Sequence, residues 1–172
     1  MNEALLVVDM INDFILEGAP LEVPNARKII PFIQERIDWF HNNKKTVIDV
    51  CDCHSPDDRE FWEYPPHAMG ETEGANIVKE LSHYSYDRDY YKVTKRSFSG
   101  FFETDLDEML QADEIQTVYI VGVLTSICIF ATAVDAKMRG YRVRIYERGV
   151  ADIYDSYMAL SQLRDSFKIE II

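Results

Sequence analysis

Several side chains that could perform nucleophilic or acid–base chemistry stand just beyond short apolar runs of this sequence. Asp9 follows the first run, Lys95 follows the third, and Cys128 lies shortly past the fourth. A cysteine attacks as its thiolate, and a free thiol with a pKa of about 8.5 is mostly protonated at neutral pH. Asp9 could take the thiol proton and return it to a leaving amine, while the Lys95 ammonium would favour the anion.

The position of Cys128 within its own segment supports the same chemistry. Residues 126–138 carry apolar side chains at helical spacing, so Cys128 would lie in or just before the first turn of a helix. Unpaired N–H groups and the positive end of the helix dipole favour an anion there. The main-chain N–H groups of Leu124 and Cys128 could hold the oxygen of a tetrahedral intermediate.

Each of these residues also has an ordinary structural explanation. A lone cysteine in an apolar helix usually packs in the core, Asp9 could cap a turn, and Lys95 could be a solvated charge. These explanations do not account for the way in which the three residues follow three separate apolar runs. The joint arrangement therefore favours a cysteine nucleophile with an acid–base partner.

The segment that follows the second apolar run contains a candidate metal site. In an extended chain Asp52 and His54 point to the same side, and a carboxylate beside an imidazole suits Zn²⁺ first, or else Fe²⁺ or Mn²⁺. His67, which follows two prolines, is the third candidate ligand, and Glu60 or Glu63 could contribute through a bound water. Such a ligand set leaves positions open to water or substrate, which predicts a functional site with one divalent ion.

Two alternatives stay open for this segment. Cys51 and Cys53 could supply thiolate ligands to a structural zinc site, although they lie on the opposite face of the strand and pack readily as small apolar residues. In the other alternative no metal binds, and the histidines are ordinary surface residues.

The apolar runs alternate with helical patterns along the chain. The runs occupy residues 4–8, 46–50, 90–94, 117–123, 142–146 and 168–172, and the helical patterns occupy residues 25–42, 74–83, 104–110, 126–138 and 156–164. This alternation predicts an α/β fold with three layers, a doubly wound and mostly parallel six-stranded sheet with helices on both faces. Sites in open α/β sheets form beyond the carboxyl ends of the strands, so the residues above should meet at one edge.

Length and composition restrict the classes of function. The length predicts a single domain, 1–172, and 18 basic against 30 acidic residues give a formal net charge of −12. Such a surface repels nucleic acid and anionic membranes, and no apolar run approaches the roughly 18 residues of a spanning helix. Three cysteines are too few for a disulfide framework and the N-terminus lacks signal-peptide features, so we expect a cytoplasmic protein in which Cys128 is free.

Four motifs, read in order, resemble those of the isochorismatase-like cysteine hydrolases. They are ALLVVDMINDF at residues 4–14, DCH at 52–54 with PPHAMGETEG at 65–74, TKRSFSGFFETDL at 94–106, and GVLTSICIFATAVDA at 122–136. The DCH and PPH pair narrows the resemblance to the metal-dependent nicotinamidase (pyrazinamidase) branch. Two positions depart from the family pattern, because Ile11 replaces a residue that is often polar and Ser126 stands where an acidic residue is usual.

The resemblance implies roles for the residues already singled out. By position they match the family's catalytic triad, Asp9, Lys95 and Cys128, and its metal ligands, Asp52, His54 and His67. On this basis the chain would deamidate nicotinamide to nicotinate and ammonia through a thioester on Cys128, as a step of NAD salvage. The pyridine nitrogen of the substrate would ligate the ion, and no nucleotide or organic cofactor is needed.

Further positions match other parts of the family's site. The Val123–Leu124 bond matches a non-proline cis peptide that turns backbone N–H groups toward the oxyanion. Phe14 matches the aromatic wall against which the substrate ring packs, and Tyr64 and Phe98 are further candidates for that wall.

Other functions stay open from the sequence. The chain could hydrolyse another small amide, such as a carbamoyl or ureido compound, or it could be a non-catalytic metal-binding protein with the same fold. Relatives in this family often self-associate, and three aromatic residues that we expect at the surface, Trp62, Tyr90 and Tyr91, could form the contacts of a homo-oligomer.

Overall fold

One parallel β-sheet forms the centre of the molecule. The computed structural model describes residues 2–86 and 90–172, and of residues 85 and 86 it describes the backbone alone. The strands in these residues are β1 (Asn2–Val8), β2 (Thr46–Asp52), β3 (Tyr90–Lys95), β4 (Ile115–Gly122), β5 (Arg142–Val150) and β6 (Glu170–Ile171). Within the described chain they form a six-stranded sheet in the order β3-β2-β1-β4-β5-β6, and every pairing is parallel.

Helices and short turns connect the strands. The α-helices are α1 (Asn12–Ile15), α2 (Ile30–Asn42), α3 (Lys79–Ser82), α4 (Leu106–Ala112), α5 (Phe130–Met138) and α6 (Tyr157–Phe167). Within the described residues, 3₁₀ turns lie at Ala26–Ile29, Arg59–Trp62, Glu73–Ala75 and His83–Tyr86, and a π-helical turn, Thr125–Ile129, runs directly into α5. Across residues 2–86 and 90–172, no helix has both the length and the apolar character needed to cross a membrane.

Helices cover both faces of the sheet. Successive side chains of β1 alternate between two hydrophobic cores, because neighbouring residues of a strand point to opposite faces. Leu5 and Val7 face the core that contains α2, whereas Leu6 and Val8 face the core that contains α4, α5 and α6. A strand buried on both faces must be apolar throughout, which explains the continuous apolar runs in the sequence. The predicted three-layer α/β fold is confirmed.

The carboxyl ends of four neighbouring strands are aligned at one edge of this sheet. Val8 of β1 is in register with Val50 of β2 and with Gly122 of β4. Asp52 of β2 is in register with Lys95 of β3. Both strands are longer than the apolar runs suggested, so Asp52 and Lys95 are the last residues of their strands and are fixed by the sheet itself.

The helix that the sequence predicted over residues 74–83 is interrupted at residues 76–78, between a 3₁₀ turn and α3. Residues 76–78 are extended, and α3 has only four residues. The Val78 N–H donates to the Met10 carbonyl at 3.0 Å, and Ile77 forms an antiparallel bridge with Ile11. These bonds to the segment after β1 replace the local helical bonds that the spacing favours.

Tyr90 is buried, so its expected place among the exposed aromatic residues is wrong. The first residue of β3 is only 8% exposed, and its hydroxyl donates to the buried Asp49 carboxylate. Trp62 and Tyr91 are exposed at the surface, by 81% and 38%. The two remaining aromatic residues of that group therefore stay available for contacts between molecules.

Candidate active site and metal centre

Three of the predicted site residues meet at the carboxyl edge of the sheet. The Lys95 Nζ atom lies 2.8 Å from Asp9 Oδ2 and 3.6 Å from Cys128 Sγ. Asp9 follows β1, Lys95 ends β3 and Cys128 lies past β4, so parallel pairing alone brings them together. All three side chains are buried, which shields their mutual charges from water.

The backbone around Asp9 directs its carboxylate into this cluster. The residue has a left-handed backbone with a φ of 53°, and its N–H donates to the Val50 carbonyl at 2.9 Å. Oδ1 accepts a hydrogen bond from the Asp52 N–H at 2.8 Å. Oδ2 is buried beside the Lys95 ammonium and receives no well-directed hydrogen bond within the described residues. One carboxylate oxygen is thus fixed in place, and the other is left to exchange a proton.

Burial gives Asp9 the proton affinity that an acid–base group needs. Desolvation, followed by the charge of Asp52, raises the pKa of the Asp9 carboxyl to about 6, although Lys95 opposes the shift. A group that titrates near neutral pH can both accept and return a proton during turnover.

The Cys128 thiol stays protonated at rest, although the sequence suggested that its surroundings favour the thiolate. Burial raises the pKa of Cys128 well above its usual value, and the charges of Asp9 and Asp52 add to this, while Lys95 lowers it. The residue lies in the π-helical turn, but two carboxylates stand close to its sulfur. Attack by Cys128 would therefore require removal of its proton by a neighbouring base, and a carboxylate oxygen of Asp9 lies within 4.8 Å of the Cys128 sulfur.

Lys95 lies between Asp9, which is close to Cys128, and Asp52 at the end of β2. Its ammonium donates to Asp52 Oδ1 as well as approaching Asp9. Burial alone would lower the pKa of Lys95, but the two carboxylates and the Cys128 sulfur hold it well above its usual value. Burial would likewise raise the pKa of Asp52, yet Lys95 and His54 outweigh it and keep the pKa below its usual value. The pair is therefore ionised.

The turn that carries Cys128 is held from the loop after β5. The Thr125 N–H donates to the Ala151 carbonyl at 3.0 Å, and the Ser126 N–H donates to Asp152 Oδ2 at 2.7 Å. The peptide bond between Val123 and Leu124, just before this turn, is cis. Sequence analysis missed Asp152 because it lies in a loop 26 residues further along the chain. Its carboxylate contacts Ser126, the position at which the family usually has an acidic residue.

Four side chains beside this cluster could hold one metal ion. One ligand atom from each of Asp52, His54, Glu60 and His67 lies within 4.8 Å of the others. The His67 Nε2 atom is 3.9 Å from Asp52 Oδ2 and 3.6 Å from Glu60 Oε1, and the His54 Nε2 atom is 3.7 Å from Asp52 Oδ2. Of the two acidic candidates it is Glu60 that joins the cluster.

Each imidazole turns its Nε2 atom toward this cluster, and in the neutral Nδ1–H form that atom carries a free lone pair. The His54 Nδ1 atom lies 2.9 Å from Asp58 Oδ2, and the His67 Nδ1 atom lies 2.8 Å from the Pro65 carbonyl oxygen. Carboxylate and carbonyl oxygens only accept hydrogen bonds, so each Nδ1 must carry the proton. Each Nε2 atom is buried with no hydrogen-bond partner among the described residues. Two buried lone pairs beside two carboxylates fit a divalent cation.

The backbone and the aromatic residues around the histidines set their relative position. The His54 N–H donates to the Ala68 carbonyl at 2.9 Å, and this pairing brings the ring of His67 to within 4.9 Å of the His54 ring. Phe61 packs edge-on against both rings, and Phe14 packs against His67 at 5.5 Å. Phe61 was missed from the sequence because it lies in a 3₁₀ turn with no periodic pattern.

The alternative zinc site built on cysteines finds no support in the fold. Cys51 packs in the hydrophobic core that contains α2, and burial raises its pKa well above the usual value. Within residues 2–86 and 90–172, neither Cys51 nor Cys53 belongs to a group of potential metal ligands.

A narrow cleft opens onto both clusters. Its walls are largely apolar, and its enclosed volume is about 50 Å³. The residues that line it are Phe14, Leu21, Asp52, Glu60, Tyr64, His67, Phe98, Leu124, Ile127, Cys128 and Ile153. The three aromatic residues predicted as a substrate wall are among them. Lys95 lies behind the cleft, and no arginine or lysine of the described chain is among the lining residues.

Comparison with known proteins relates the chain to a family of hydrolases. The family model described as the isochorismatase domain matches residues 3–169. The nicotinamidase/pyrazinamidase of Mycobacterium tuberculosis is 33% identical over 156 residues, which span 83% of this chain and 82% of that protein. A probable inactive nicotinamidase of Arabidopsis thaliana is 34% identical over 149 residues, which span 81% and 75%.

Solved structures show the same architecture. The pyrazinamidase of Pyrococcus horikoshii in complex with zinc has a TM-score of 0.90 and 34% sequence identity, with 100% of this chain and 99% of that chain covered. The N-carbamoylsarcosine amidase of Thermoplasma acidophilum has a TM-score of 0.91 and 32% identity, with 99% and 95% covered. The neighbours therefore include amidases that act on different substrates.

Proposed function

This chain belongs to the isochorismatase family, and from that premise we propose that it is a metal-dependent amidohydrolase that converts nicotinamide into nicotinate and ammonia. One observation carries the proposal. A single narrow, apolar cleft borders both the Cys128 thiol and the ligand cluster of Asp52, Glu60 and His67. A flat heteroaromatic amide could touch both at once, with its ring toward the ligand cluster and its carboxamide at the sulfur.

The charge of the cleft favours an uncharged substrate. Carboxylates are usually recognised by arginine or lysine side chains, and the described lining of the cleft contains neither. Glu60 adds a negative charge to the same wall. N-carbamoylsarcosine carries a carboxylate and would find no arginine or lysine partner in this lining, whereas nicotinamide and pyrazinamide are neutral. A lining without cationic side chains therefore favours nicotinamide over the anionic substrates of other amidases in the family.

The ligand cluster has the donors that a divalent ion requires. Asp52, His54, Glu60 and His67 would hold it, and a bound ion would supply a Lewis-acid site for the ring nitrogen of the substrate. The chain's own residues do the rest of the binding. Phe14 and Phe98 enclose the ring, and the buried surroundings exclude bulk water from the thiol.

The proposed reaction proceeds in two steps through a thioester. Asp9 removes the proton from Cys128 Sγ, and the thiolate attacks the amide carbon while the N–H groups of Leu124 and Cys128 stabilise the oxyanion. Collapse of the tetrahedral intermediate breaks the C–N bond, and ammonia leaves with the proton that Asp9 returns. Asp9 then removes a proton from water, which attacks the thioester carbon. Collapse of this second intermediate breaks the C–S bond, Asp9 returns its proton to the sulfur, and the nicotinic acid loses its own proton to solvent as nicotinate. Lys95 keeps its positive charge throughout and balances the transient thiolate.

Ammonia release from a matched panel of amides tests this function. We expect turnover of nicotinamide and pyrazinamide and little turnover of benzamide, because benzamide has the same shape and lacks the ring nitrogen. N-carbamoylsarcosine should also be a poor substrate because of its charge. Removal of metal by a chelator should abolish activity, and added Zn²⁺, Mn²⁺ or Fe²⁺ should restore it in a sample whose metal content is measured.

The same panel distinguishes the competing functions. Equal rates with benzamide and nicotinamide would contradict a role for the ring nitrogen, and a preference for N-carbamoylsarcosine would indicate a different amidase. A protein that binds metal and releases no ammonia from any amide would be a non-catalytic relative. Cys128→Ser serves as the control, since activity that survives this substitution does not arise from the thiol.

A further inference from the structure

Asp58 is a buried carboxylate that lies behind the ligand cluster and has no part in the reaction above. Its side chain is 8% exposed and lies four residues after His54. Oδ2 accepts hydrogen bonds from the His54 Nδ1–H at 2.9 Å and from the Ser55 N–H at 2.9 Å. The carboxylate therefore holds the Nδ1 edge of the imidazole, which is turned away from the cluster.

Arg96, the residue directly after β3, also binds the Asp58 carboxylate. Its Nε atom donates to Asp58 Oδ2 at 3.0 Å and its Nη2 atom donates to Asp58 Oδ1, which forms a two-point pair. The guanidinium is 58% exposed while its partner is buried. Arg96 directly follows Lys95, the last residue of β3. Lys95 contacts Cys128, and Arg96 contacts the Asp58 carboxylate that holds His54.

We propose that Asp58 and Arg96 form a clip that fixes the ring orientation and the tautomer of His54, and thereby set the affinity of the ligand cluster for its ion. This inference rests on the proposed function, because that function requires a metal ion. Neither residue touches the cleft, so both act as positioning residues through His54. Partners of this kind behind a metal-bound histidine typically change metal affinity about 10- to 100-fold.

The physical basis is the choice between two neutral imidazole tautomers. Without Asp58, the proton of His54 could sit on Nε2, where it would block the lone pair that faces Asp52. With Asp58 in place, Nδ1 keeps the proton because a carboxylate can only accept. Arg96 holds the carboxylate in one rotamer, since its fork matches both oxygens.

Metal titration of the full chain tests the clip. The affinity for Zn²⁺ is measured by competition with a chromophoric chelator in the wild type and in Asp58→Ala, Asp58→Asn and Arg96→Ala. We expect about a 10- to 100-fold loss for Asp58→Ala. Asp58→Asn should lose less because its amide oxygen still accepts from Nδ1, and Arg96→Ala should also lose less than Asp58→Ala.

Matched controls separate the clip from a general effect of charge. Asp57→Asn removes a neighbouring exposed carboxylate, and Arg59→Gln removes a neighbouring exposed guanidinium. Both controls should bind Zn²⁺ like the wild type. Thermal unfolding of the metal-free proteins shows which variants keep their fold, and Asp58→Asn and Arg96→Ala serve if Asp58→Ala is unstable.

A second readout addresses the tautomer itself. NMR chemical shifts of the His54 ring nitrogens in the metal-free protein should report the Nδ1–H form in the wild type and a mixture of forms in Asp58→Ala. A folded Asp58→Ala protein with unchanged Zn²⁺ affinity and an unchanged tautomer would overturn the proposal. A wild type that binds no metal would instead overturn the proposed function, so the two failures are distinguishable.

Discussion

Lys95 is the side chain on which the electrostatics of the site depend. It is 1% exposed, and its ammonium lies between the carboxylates of Asp9 and Asp52. Two buried carboxylates that face each other without a cation repel strongly, since little water screens them. In the proposed reaction the same charge would balance the negative sulfur when Cys128 gives up its proton. One residue would therefore contribute both to the stability of the fold and to the proposed chemistry.

Replacing Lys95 should lower stability as well as activity. Lys95→Met keeps most of the buried volume but leaves two carboxylates without their cation, so we expect a loss of about 3 to 5 kcal/mol in the free energy of unfolding. Ammonia release should fall in parallel, even under conditions in which the variant is folded. Chemical denaturation and the amide assay measure the two effects.

Lys92→Met is the matched control for this substitution. Lys92 lies on the same strand with its side chain exposed, so its loss should change stability by less than about 0.5 kcal/mol. A Lys95→Met protein as stable as this control would show that the buried ion pairs contribute nothing net.

The sequence predicted the residues that the sheet positions, together with the histidine ligands, and it missed several other residues that loops position. Asp52 and Lys95 end parallel strands, and the rule that strand ends share one edge was enough to bring them together. Phe61, Asp58 and Asp152 lie in irregular segments, whose paths depend on contacts that local pattern does not encode. The spacing of His54 and Asp58, four residues apart, was the one local signal that could have found the clip.

At the scale of elements, the end of β4 depends on a close approach between two backbones. Gly122 has a φ of 117°, and a Cβ atom at this position would lie 2.0 Å from the Val8 carbonyl oxygen. The adjacent Val123 N–H donates to that same oxygen at 3.0 Å. Only glycine lets β1 and β4 come this close just before Asp9 and the turn of Cys128.

Gly122→Ala should therefore be severely destabilising. The strained φ and the clash with main-chain atoms together should lower the free energy of unfolding by about 3 kcal/mol or more. Gly140→Ala is the control, because Gly140 also has a positive φ, of 94°, but has open space around its Cα. Its cost should be about 1 to 2 kcal/mol, which is that of the backbone conformation alone. Equal losses in the two variants, measured by denaturant unfolding, would count against the close approach.

The predicted bounds of a helix agree best with the structure where local contacts within that helix determine it. α2 starts with a proline in its first turn and carries apolar residues at helical spacing, and its prediction is close to the observed Ile30–Asn42. The segment before α3 differs, because residues 76–78 bond to the chain after β1. Local spacing contains no information on such a partner 60 or more residues away, as with the Asn12 side chain that donates to the Glu73 carbonyl across 61 residues.

At the scale of the whole molecule, a buried acid far from the cleft couples stability to pH. Asp49 is 1% exposed in β2 and accepts a hydrogen bond from the Tyr90 hydroxyl. Burial raises the pKa of Asp49 from 3.8 to about 7, although Tyr90 and Lys92 oppose the shift. Between these values the folded protein keeps a proton that the unfolded chain has released. Stability from this group is present at low pH and is lost as the pH rises through about 7.

Asp49→Asn should remove this dependence. The variant should match the wild type near pH 4 and become more stable by about 2 to 4 kcal/mol at pH 8, because asparagine cannot ionise. Denaturant unfolding at several pH values gives the difference between the two proteins, which isolates the one group. Asp38→Asn, on the exposed face of α2, should show a flat difference. A flat difference for Asp49→Asn as well would mean that Asp49 is ionised without penalty.

The spacing of the site residues along the chain also bears on how the enzyme is made. Asp9 and Asp52 are 43 residues apart, Asp52 and Lys95 are another 43 apart, and Cys128 follows 33 residues later. During synthesis Asp9 therefore emerges from the ribosome first and Cys128 last of these four residues. Asp152, which holds the turn of Cys128, emerges later still. The contacts that hold the turn of Cys128 can therefore form only after β5 and the loop that carries Asp152 have been synthesised.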